Sequence, residues 1–352
     1  MITWPWNTIA MVHRTERLTG RRVLIVTLLL AALLALCIGG GIAFGAGTVN
    51  FSSLLPGGSL TEVEHAILLQ VRLPRVLAAG LLGGALAVAG VVFQALLRNP
   101  LADPYVLGVA GGASIGGVVA LLLGLGSVGV MGGAAVPAFA FAGALAALLL
   151  IESIATVGGQ LTVYSILLTG AIFNSFAAAL IYFIQSVASL QQLHEIVFYL
   201  MGRVPALGYQ ELAVLALAIV IVDLAVYTMC RDYNALSLGE EGAMLLGVDV
   251  GRTKRFTFVL GSLLTGLCVA VAGLIGFVGL VVPHMLRLVI GPDHRLLLPA
   301  AFLGGASFLV LADLAARLLL VPNELPVGVV TALIGGPFFL YLLRTRGRNY
   351  AF

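Results

Sequence analysis

The sequence predicts an all-α, polytopic membrane protein with about ten transmembrane helices. Of its 352 residues, 61% are hydrophobic and 9% are charged, whereas soluble domains average about 25% charged residues. Apolar runs recur at the length of about 20 residues that a helix needs to cross the roughly 30 Å hydrocarbon layer. The alternating pattern typical of a transmembrane β-barrel is not found.

Ten apolar runs are predicted as spans. The first follows Arg21 and Arg22 and is longer than the roughly 7 to 15 residues of a signal-peptide core, so an uncleaved span is expected. The seventh and eighth are nearly continuous, and only residues 273–279 ("GLIGFVG") are available for a turn between them. The predicted spans are residues 23–44, 66–97, 105–125, 131–152, 162–186, 207–229, 255–275, 276–291, 299–319 and 327–343.

The basic residues predict the orientation of these spans. With the N-terminus in the cytoplasm, all but four of the 18 basic residues fall in cytoplasmic loops or helix ends. This bias follows the positive-inside rule and predicts a multi-pass protein of the cell (inner) membrane with both termini cytoplasmic. Residues 1–22 and 346–352 are then cytoplasmic tails around a transmembrane domain of residues 23–345. The four exceptions are Arg72, Arg75, Arg203 and Arg317.

A short sequence recurs in two spans of opposite predicted direction. "AVAG" at residues 87–90 reappears at residues 270–273, and a proline follows ten residues after each glycine (Pro100 and Pro283). The recurrence raises the hypothesis of an inverted repeat of two five-helix halves, a common plan of transporters. Chance recurrence in a chain rich in Ala, Val and Gly is the alternative.

Several functional classes lack sequence support. The net charge of +3 is too small to indicate nucleic-acid binding, and three isolated cysteines indicate neither a disulfide framework nor a thiolate metal site. His284 and His294 lack the spacing of a metal site. No P-loop sequence is present, and Lys254 is the sole lysine. We therefore expect no catalytic residues, no metal site and no cofactor bound by this chain.

Asp223 and Asp313 are acidic residues within predicted spans, where an ionisable group is a functional hypothesis by default. Asp313 and Arg317 are four residues apart and share a helix face, which predicts a structural ion pair. Asp223 lies near the cytoplasmic end of the sixth span. Two isolated acids make a poor proton relay, but an autonomous proton-coupled secondary transporter that uses them is the alternative function.

Charged residues crowd into residues 236–255 ("LSLGEEGAMLLGVDVGRTKR"), a predicted cytoplasmic loop. A short amphipathic helix flanked by Gly239 and Gly247 is predicted near residues 236–248. Its apolar side, opposite Glu240 and Glu241, comprises Leu238, Leu245, Leu246 and Val248. A solvated loop helix and a docking surface for a cytoplasmic partner both fit this pattern.

Long stretches of the chain resemble the FecCD family of permeases from ATP-binding cassette (ABC) importers for iron-siderophores, haem and cobalamin. These stretches are "RLPRVLAAGLLGGALAVAGVVFQALLRNPLADPYVLGVAGGASIG", "LGEEGAMLLGVD", "GFVGLVVPHMLRLVIGPDHRLLLP" and "ELPVGVVTALIGGPFFLYLL". Within the second, Glu241, Ala243 and Gly247 match the E-A-A-x-x-x-G pattern of importer coupling loops, and Gly242 replaces the first alanine.

The resemblance implies a homodimeric permease in the lipid bilayer, bound to two cytoplasmic ABC ATPase subunits and one periplasmic or lipid-anchored substrate-binding protein. ATP and Mg²⁺ would bind to the ATPase, and this chain would move an iron chelate or cobalamin inward by alternating access. The ATPase would contact the coupling loop, which comprises Glu240, Glu241, Gly242, Ala243, Leu245, Leu246 and Gly247.

The resemblance also implies two further sets of site residues. Arg72, Arg75 and Arg317 match outward-facing arginines that pair with glutamates of the binding protein. The translocation pathway would lie along the dimer axis beside the fifth and tenth spans, where Asn174 is the strongest hydrogen-bonding side chain, flanked by Thr169 and Ser175. Asn174 either faces the pathway or bonds a neighbouring helix.

Overall fold

The computed structural model describes residues 19–45, 61–126 and 134–346, and these residues are predominantly helical. A two-stranded antiparallel hairpin joins Thr156–Val157 (β1) to Gln160–Leu161 (β2). The helices are α1 (Gly20–Ala43), α2 (Glu62–Ala66), α3 (Leu73–Leu96), α4 (Val109–Leu122), α5 (Ala135–Ala155), α6 (Val163–Val187), α7 (Leu190–Met201), α8 (Tyr209–Thr228), α9 (Cys230–Leu236), α10 (Glu240–Leu245), α11 (Val250–Ala272), α12 (Val278–Ile290), α13 (His294–Leu318) and α14 (Val327–Arg346).

The apolar helices confirm the predicted fold class. Within the described ranges, seven helices are long and apolar enough to cross a membrane, and three shorter apolar helices accompany them. Each of these ten helices overlaps one predicted span. The seventh and eighth spans are separate helices, because α11 ends at Ala272 and α12 begins at Val278.

Helix α3 lies at the centre of the fold and is buried along nearly its whole length. It continues directly from α2 through a π-helical turn at Ile67–Arg72, so Glu62–Leu96 is one unbroken helix of 35 residues. Its neighbours α8, α11, α12 and α13 enclose it. The AVAG stretches lie in α3 and α11, which pack side by side; the inverted-repeat hypothesis itself stays a prediction.

Glycines bring the central helices into backbone contact. A Cβ atom on Gly83 would lie 2.3 Å from the carbonyl oxygen of Gly305, and one on Gly90 would lie 1.8 Å from that of Gly279. Any side chain at these positions would push α3 away from α13 or α12. Small residues at such crossings are typical of packing inside membranes, where close van der Waals contact stabilises helix pairs.

Two predicted spans contain segments that are not α-helical. The third was predicted from residue 105, but Pro104–Leu107 forms a 3-10 turn and α4 begins only at Val109, after Gly108 adopts a φ of 90°. Asp103 caps that turn by accepting a hydrogen bond from the backbone N–H of Tyr105. Residues 273–277 form the second break, where Gly273 has a φ of 69°.

The short helix predicted near residues 236–248, between Gly239 and Gly247, corresponds to α10. Helix α9 ends at Leu236, Gly239 takes a φ of 96°, and a separate α10 covers only Glu240–Leu245. Helices α7 and α9 were not predicted. The capping box of Ser189 and Gln192, which begins α7, was a usable sequence signal.

Contacts of two arginines with distant residues define the two ends of the helix bundle. Arg22, at the start of α1, donates a hydrogen bond to the carbonyl of Ile290, and Arg72 donates to the carbonyls of Ile42 and Ala43 at the other end of this helix. We call these the Arg22 end and the Arg72 end. The Arg22 end corresponds to the predicted cytoplasmic side, and its orientation in a cell membrane stays a prediction. Most of the predicted tails lie outside the described residues.

Candidate functional site

A buried charge cluster occupies the Arg72 end. Asp313 is fully buried, and its carboxylate lies 2.9 Å from Arg75 Nη2 and 3.0 Å from Arg317 Nε. Arg75 also forms an ion pair with Glu324, at 2.7 Å. The predicted Asp313–Arg317 ion pair is therefore present, with Arg75 as a further partner from α3.

Two arginines of this end hold the C-terminus of α1. Arg72 donates to the carbonyls of Ile42, Ala43 and Gly45 at 3.1 to 3.2 Å. Arg317 Nη2 donates to the carbonyl of Gly41 at 3.1 Å. The last carbonyls of a helix have no partner within it, so the guanidinium groups satisfy them and their charge suits the negative end of the helix dipole.

These contacts affect the predicted docking role of Arg72, Arg75 and Arg317. All three side chains are buried and engaged with groups of this chain. To meet glutamates of another protein, each would have to exchange its present partners. The docking role stays a prediction, and the structure adds Glu324, whose side chain is 36% exposed, as the exposed member of the cluster.

A cavity of about 600 Å³ lies where the two helix breaks meet α4 and α6. Its lining comes from residues 103–106, from residues 274–277 and from the two helices. Asn174 lines it, whereas Thr169 and Ser175 are not among the lining residues. Ser175 instead donates to the carbonyl of Ala171 in its own helix, at 3.1 Å.

Tyr105, which was not predicted as a site residue, links the two helix breaks through hydrogen bonds. Its hydroxyl donates to the carbonyl of Ile275 at 3.0 Å and accepts from the N–H of Ile275 at 3.1 Å. The Asn174 amide donates to the Tyr105 carbonyl at 2.9 Å. The backbone N–H and C=O groups of a non-helical segment at membrane depth need hydrogen-bond partners within the protein. Asn174 thus lines the cavity and bonds a neighbouring segment, and its place in a translocation pathway stays a prediction.

At the Arg22 end, α10 presents an apolar surface outward. Ala243 is fully buried and fixes the helix to the body of the protein. The side chains that point away are large and apolar: Leu245 is 89% exposed, and Leu238, Met244 and Leu246 are all more than half exposed. We call these four residues the α10 patch. Gly247, with a φ of 85°, ends the turn after α10.

Glu240 bridges three segments at this end. Its carboxylate lies 2.6 Å from Lys254 Nζ in α11 and 3.2 Å from Arg98 Nη2, just after α3. The sequence predicted both Glu240 and Glu241 on the side of the helix opposite the leucines. Glu241 is exposed, but Glu240 is engaged within this chain. Lys254, a buried residue, carried no sequence signal for this role.

Asn234 of α9 connects the same region to the start of α13. Its amide donates to Asp293 at 2.9 Å, and its carbonyl oxygen accepts from the His294 N–H at 2.9 Å. Hydrogen bonds from the Arg295 guanidinium lower the pKa of the Asp293 carboxyl to about 2, so this acceptor remains ionised near neutral pH. Helices α9 and α13 are thereby tied at their ends.

Comparison with known proteins identifies the family. The pattern that defines the FecCD transport family matches residues 27–345, nearly the whole chain. The chain belongs to the FecCD transport family. FecCD relatives include the cobalamin import system permease protein BtuC of Halobacterium salinarum, which is 43% identical over 88% of this chain and 81% of its own length. The hemin transport system permease protein HmuU of Yersinia pestis is 39% identical over 93% of this chain and 96% of its own.

A solved structure agrees in fold with this chain. A protein assigned as a metal-chelate type ABC transporter, captured in an inward-facing conformation, superposes with a TM-score of 0.78 at 30% identity, over 92% of this chain and 99% of its own. These likenesses make this chain an ABC transporter permease of the FecCD family. They confirm the resemblance found in the sequence.

Proposed function

We propose that this chain is the membrane-spanning subunit of an ATP-driven importer and moves a metal chelate or cobalamin inward by alternating access. The observation that carries the proposal is the α10 patch, an outward apolar surface on a helix anchored through Ala243 and Glu240. A separate ATPase, holding ATP and Mg²⁺, would cover the patch. Because α10 is tied to α3 and α11, movement imposed on it would reach the helices beside the cavity.

The subunit would work as a homodimer. Helix α6 carries a row of exposed apolar side chains at four-residue spacing, Tyr164, Leu168, Ile172 and Phe176. Leu333, Leu340 and Tyr341 are similarly exposed on α14. These surfaces suit a pathway between two copies, with the cavity at Asn174 opening towards it. Two ATPases and one periplasmic or lipid-anchored binding protein would complete the assembly.

The cargo class comes from the relatives together with the cavity. BtuC is named for cobalamin and HmuU for hemin, and the superposable structure is of metal-chelate type. The cavity lining is mainly apolar, with few polar groups. Such a lining suits passage of a bulky chelate (siderophore, haem or cobalamin), while the high-affinity site would lie on the binding protein.

The proton-coupled alternative gains no support from the two acids. Asp313 is held between Arg75 and Arg317, at 2.9 and 3.0 Å, so its carboxylate is already engaged in an ion-pair cluster. Asp223 lies in a different cavity, between α3, α8 and α13. The two acids are therefore not parts of one relay.

Uptake into proteoliposomes tests the proposal. The chain is reconstituted with its candidate ATPase and binding protein, and accumulation of radiolabelled cobalamin, haem and an iron-siderophore is measured with and without ATP. We expect uptake of one cargo to require ATP and both partners. Uptake by the chain alone, driven by a proton gradient and abolished by Asp223→Asn, would establish the alternative.

A pair of variants tests the α10 patch directly. Leu245→Asp places a charge on the patch without touching the body of the protein, and we expect it to abolish co-purification of the ATPase and uptake. Gln191→Asp, which adds the same charge at an exposed position of α7 outside the coupling loop, is the control. If Leu245→Asp retains full ATPase binding, the patch is not the coupling surface.

A further inference from the structure

A second cavity, distinct from the one at Asn174, opens between α3, α8 and α13 in the half of the bundle nearer the Arg22 end. Its volume is about 450 Å³, within the range of small-molecule sites. The walls are aliphatic and aromatic side chains, such as Val88, Leu298 and Phe302. Asp223 and Tyr227 are its polar members.

The polar members of this cavity present acceptors. Asp223 Oδ1 is shielded from solvent, and the described residues offer it no hydrogen-bond partner. The Tyr227 hydroxyl lies 3.5 Å from the carbonyl of Arg295. That carbonyl lacks its usual helical partner, because Pro299 has no N–H to donate. Because the Tyr227 hydroxyl donates its proton to the Arg295 carbonyl, the phenol oxygen remains free to accept a hydrogen bond from a group in the cavity.

The surroundings of the cavity indicate what kind of molecule reaches it. Val220 and Leu224, which line it, are 45% and 61% exposed, and Ile221 beside them is 58% exposed. In a membrane-spanning bundle such a surface faces lipid chains. Asp223 lies five residues before the end of α8, or about 8 Å along the axis, within reach of a headgroup. A lipid of the surrounding bilayer can therefore reach Asp223.

The acidic side chain in the cavity lining indicates which lipid headgroup can bind there. An ionised carboxylate accepts hydrogen bonds and cannot donate, and among the described residues no basic side chain lines the cavity to neutralise it. An anionic headgroup would be repelled. A primary ammonium supplies both the compensating charge and N–H donors for Asp223 and Tyr227.

We propose that this cavity binds a phospholipid with an ethanolamine headgroup. An acyl chain lies along Val88 and Phe302, and the ammonium group donates to Asp223 Oδ1. Bound there, the lipid occupies space between α8 and α13 that would otherwise be empty, and so supports their packing against α3.

Native mass spectrometry of the purified full chain tests the site. Ethanolamine, choline and glycerol phospholipids with identical acyl chains are titrated separately. Choline is the matched control, because its trimethylammonium group keeps the charge but has no N–H donor. We expect about tenfold tighter binding of the ethanolamine lipid, the effect of one charge-assisted hydrogen bond.

Variants locate the binding. Asp223→Asn is expected to abolish the preference for ethanolamine over choline. Val220→Trp fills the cavity from its exposed side and is expected to weaken both lipids, whereas Ile221→Trp, on the same face outside the cavity, is expected to change neither. Equal binding of ethanolamine and choline lipids by wild type, or undiminished binding of both lipids by Val220→Trp, would overturn the proposal even if Asp223→Asn fails to fold.

Discussion

Lys254 Nζ lies 2.6 Å from Glu240 Oε2, so the sole lysine of the chain joins α11 to the short helix α10. The Lys254 side chain is only 11% exposed, and Arg98 contacts the other oxygen of Glu240. Because both side chains are partly buried, solvent screens this ion pair less than it screens a fully exposed one. Glu240 therefore fixes the orientation of α10 from within.

Glu240→Gln is expected to loosen this attachment. The change removes the charge facing both Lys254 and Arg98, and we expect a cost of about 1 to 2 kcal/mol together with reduced uptake per ATP hydrolysed. Thermal unfolding in detergent and coupled transport assays measure the two effects. Glu241→Gln, at the exposed neighbouring acid, serves as the stability control. Equal melting temperatures for the two variants would remove Glu240 from the anchoring role.

Tyr105→Phe is expected to disturb the junction of the two helix breaks. The variant loses the hydroxyl that donates to the Ile275 carbonyl and accepts from its N–H, leaving both groups unpaired at a cost of about 1 to 3 kcal/mol. We expect lower thermal stability and slower uptake. Tyr182→Phe, at an exposed position of α6, is the matched control. An effect no larger than that of the control would show that the junction holds without Tyr105.

Asp313→Asn is expected to destabilise the Arg72 end. The substitution leaves Arg75 and Arg317 side by side without the carboxylate that separates them, and breaking a buried pair costs about 3 to 5 kcal/mol. Glu324→Gln removes a more exposed partner of the same cluster and is expected to cost at most about 1 kcal/mol. Melting temperatures of the two variants provide the comparison, and a reversed order would contradict the assigned geometry.

Gly90→Ala is expected to separate α3 from α12. Its new methyl group would lie 1.8 Å from the Gly279 carbonyl oxygen, so the helices must shift, at about 1 to 3 kcal/mol. Gly39→Ala, in α1, meets nothing within 4 Å and is expected to be neutral or slightly stabilising. Size-exclusion chromatography after heating measures both. A Gly90→Ala protein as stable as Gly39→Ala would place the helix crossing elsewhere.

The amino-acid sequence was sufficient to predict the ten apolar helices, their order and the division of basic residues between two ends. These features are local, because the length of an apolar run decides whether a helix can span a bilayer. The Asp313–Arg317 pair was also predictable, since four residues place both side chains on one helix face. The family resemblance rests on the same continuous stretches.

The tertiary structure alone decided which of these side chains meet. Glu240 is 142 residues from Arg98, and Tyr105 is 170 residues from Ile275. Nothing in the residues around Glu240 distinguishes an inward anchor from the exposed Glu241. Likewise, burial of Arg72 depends on where α1 ends against α3. Contacts of this kind arise when distant helices pack together, so sequence periodicity predicts the helices but not the partners of their polar groups.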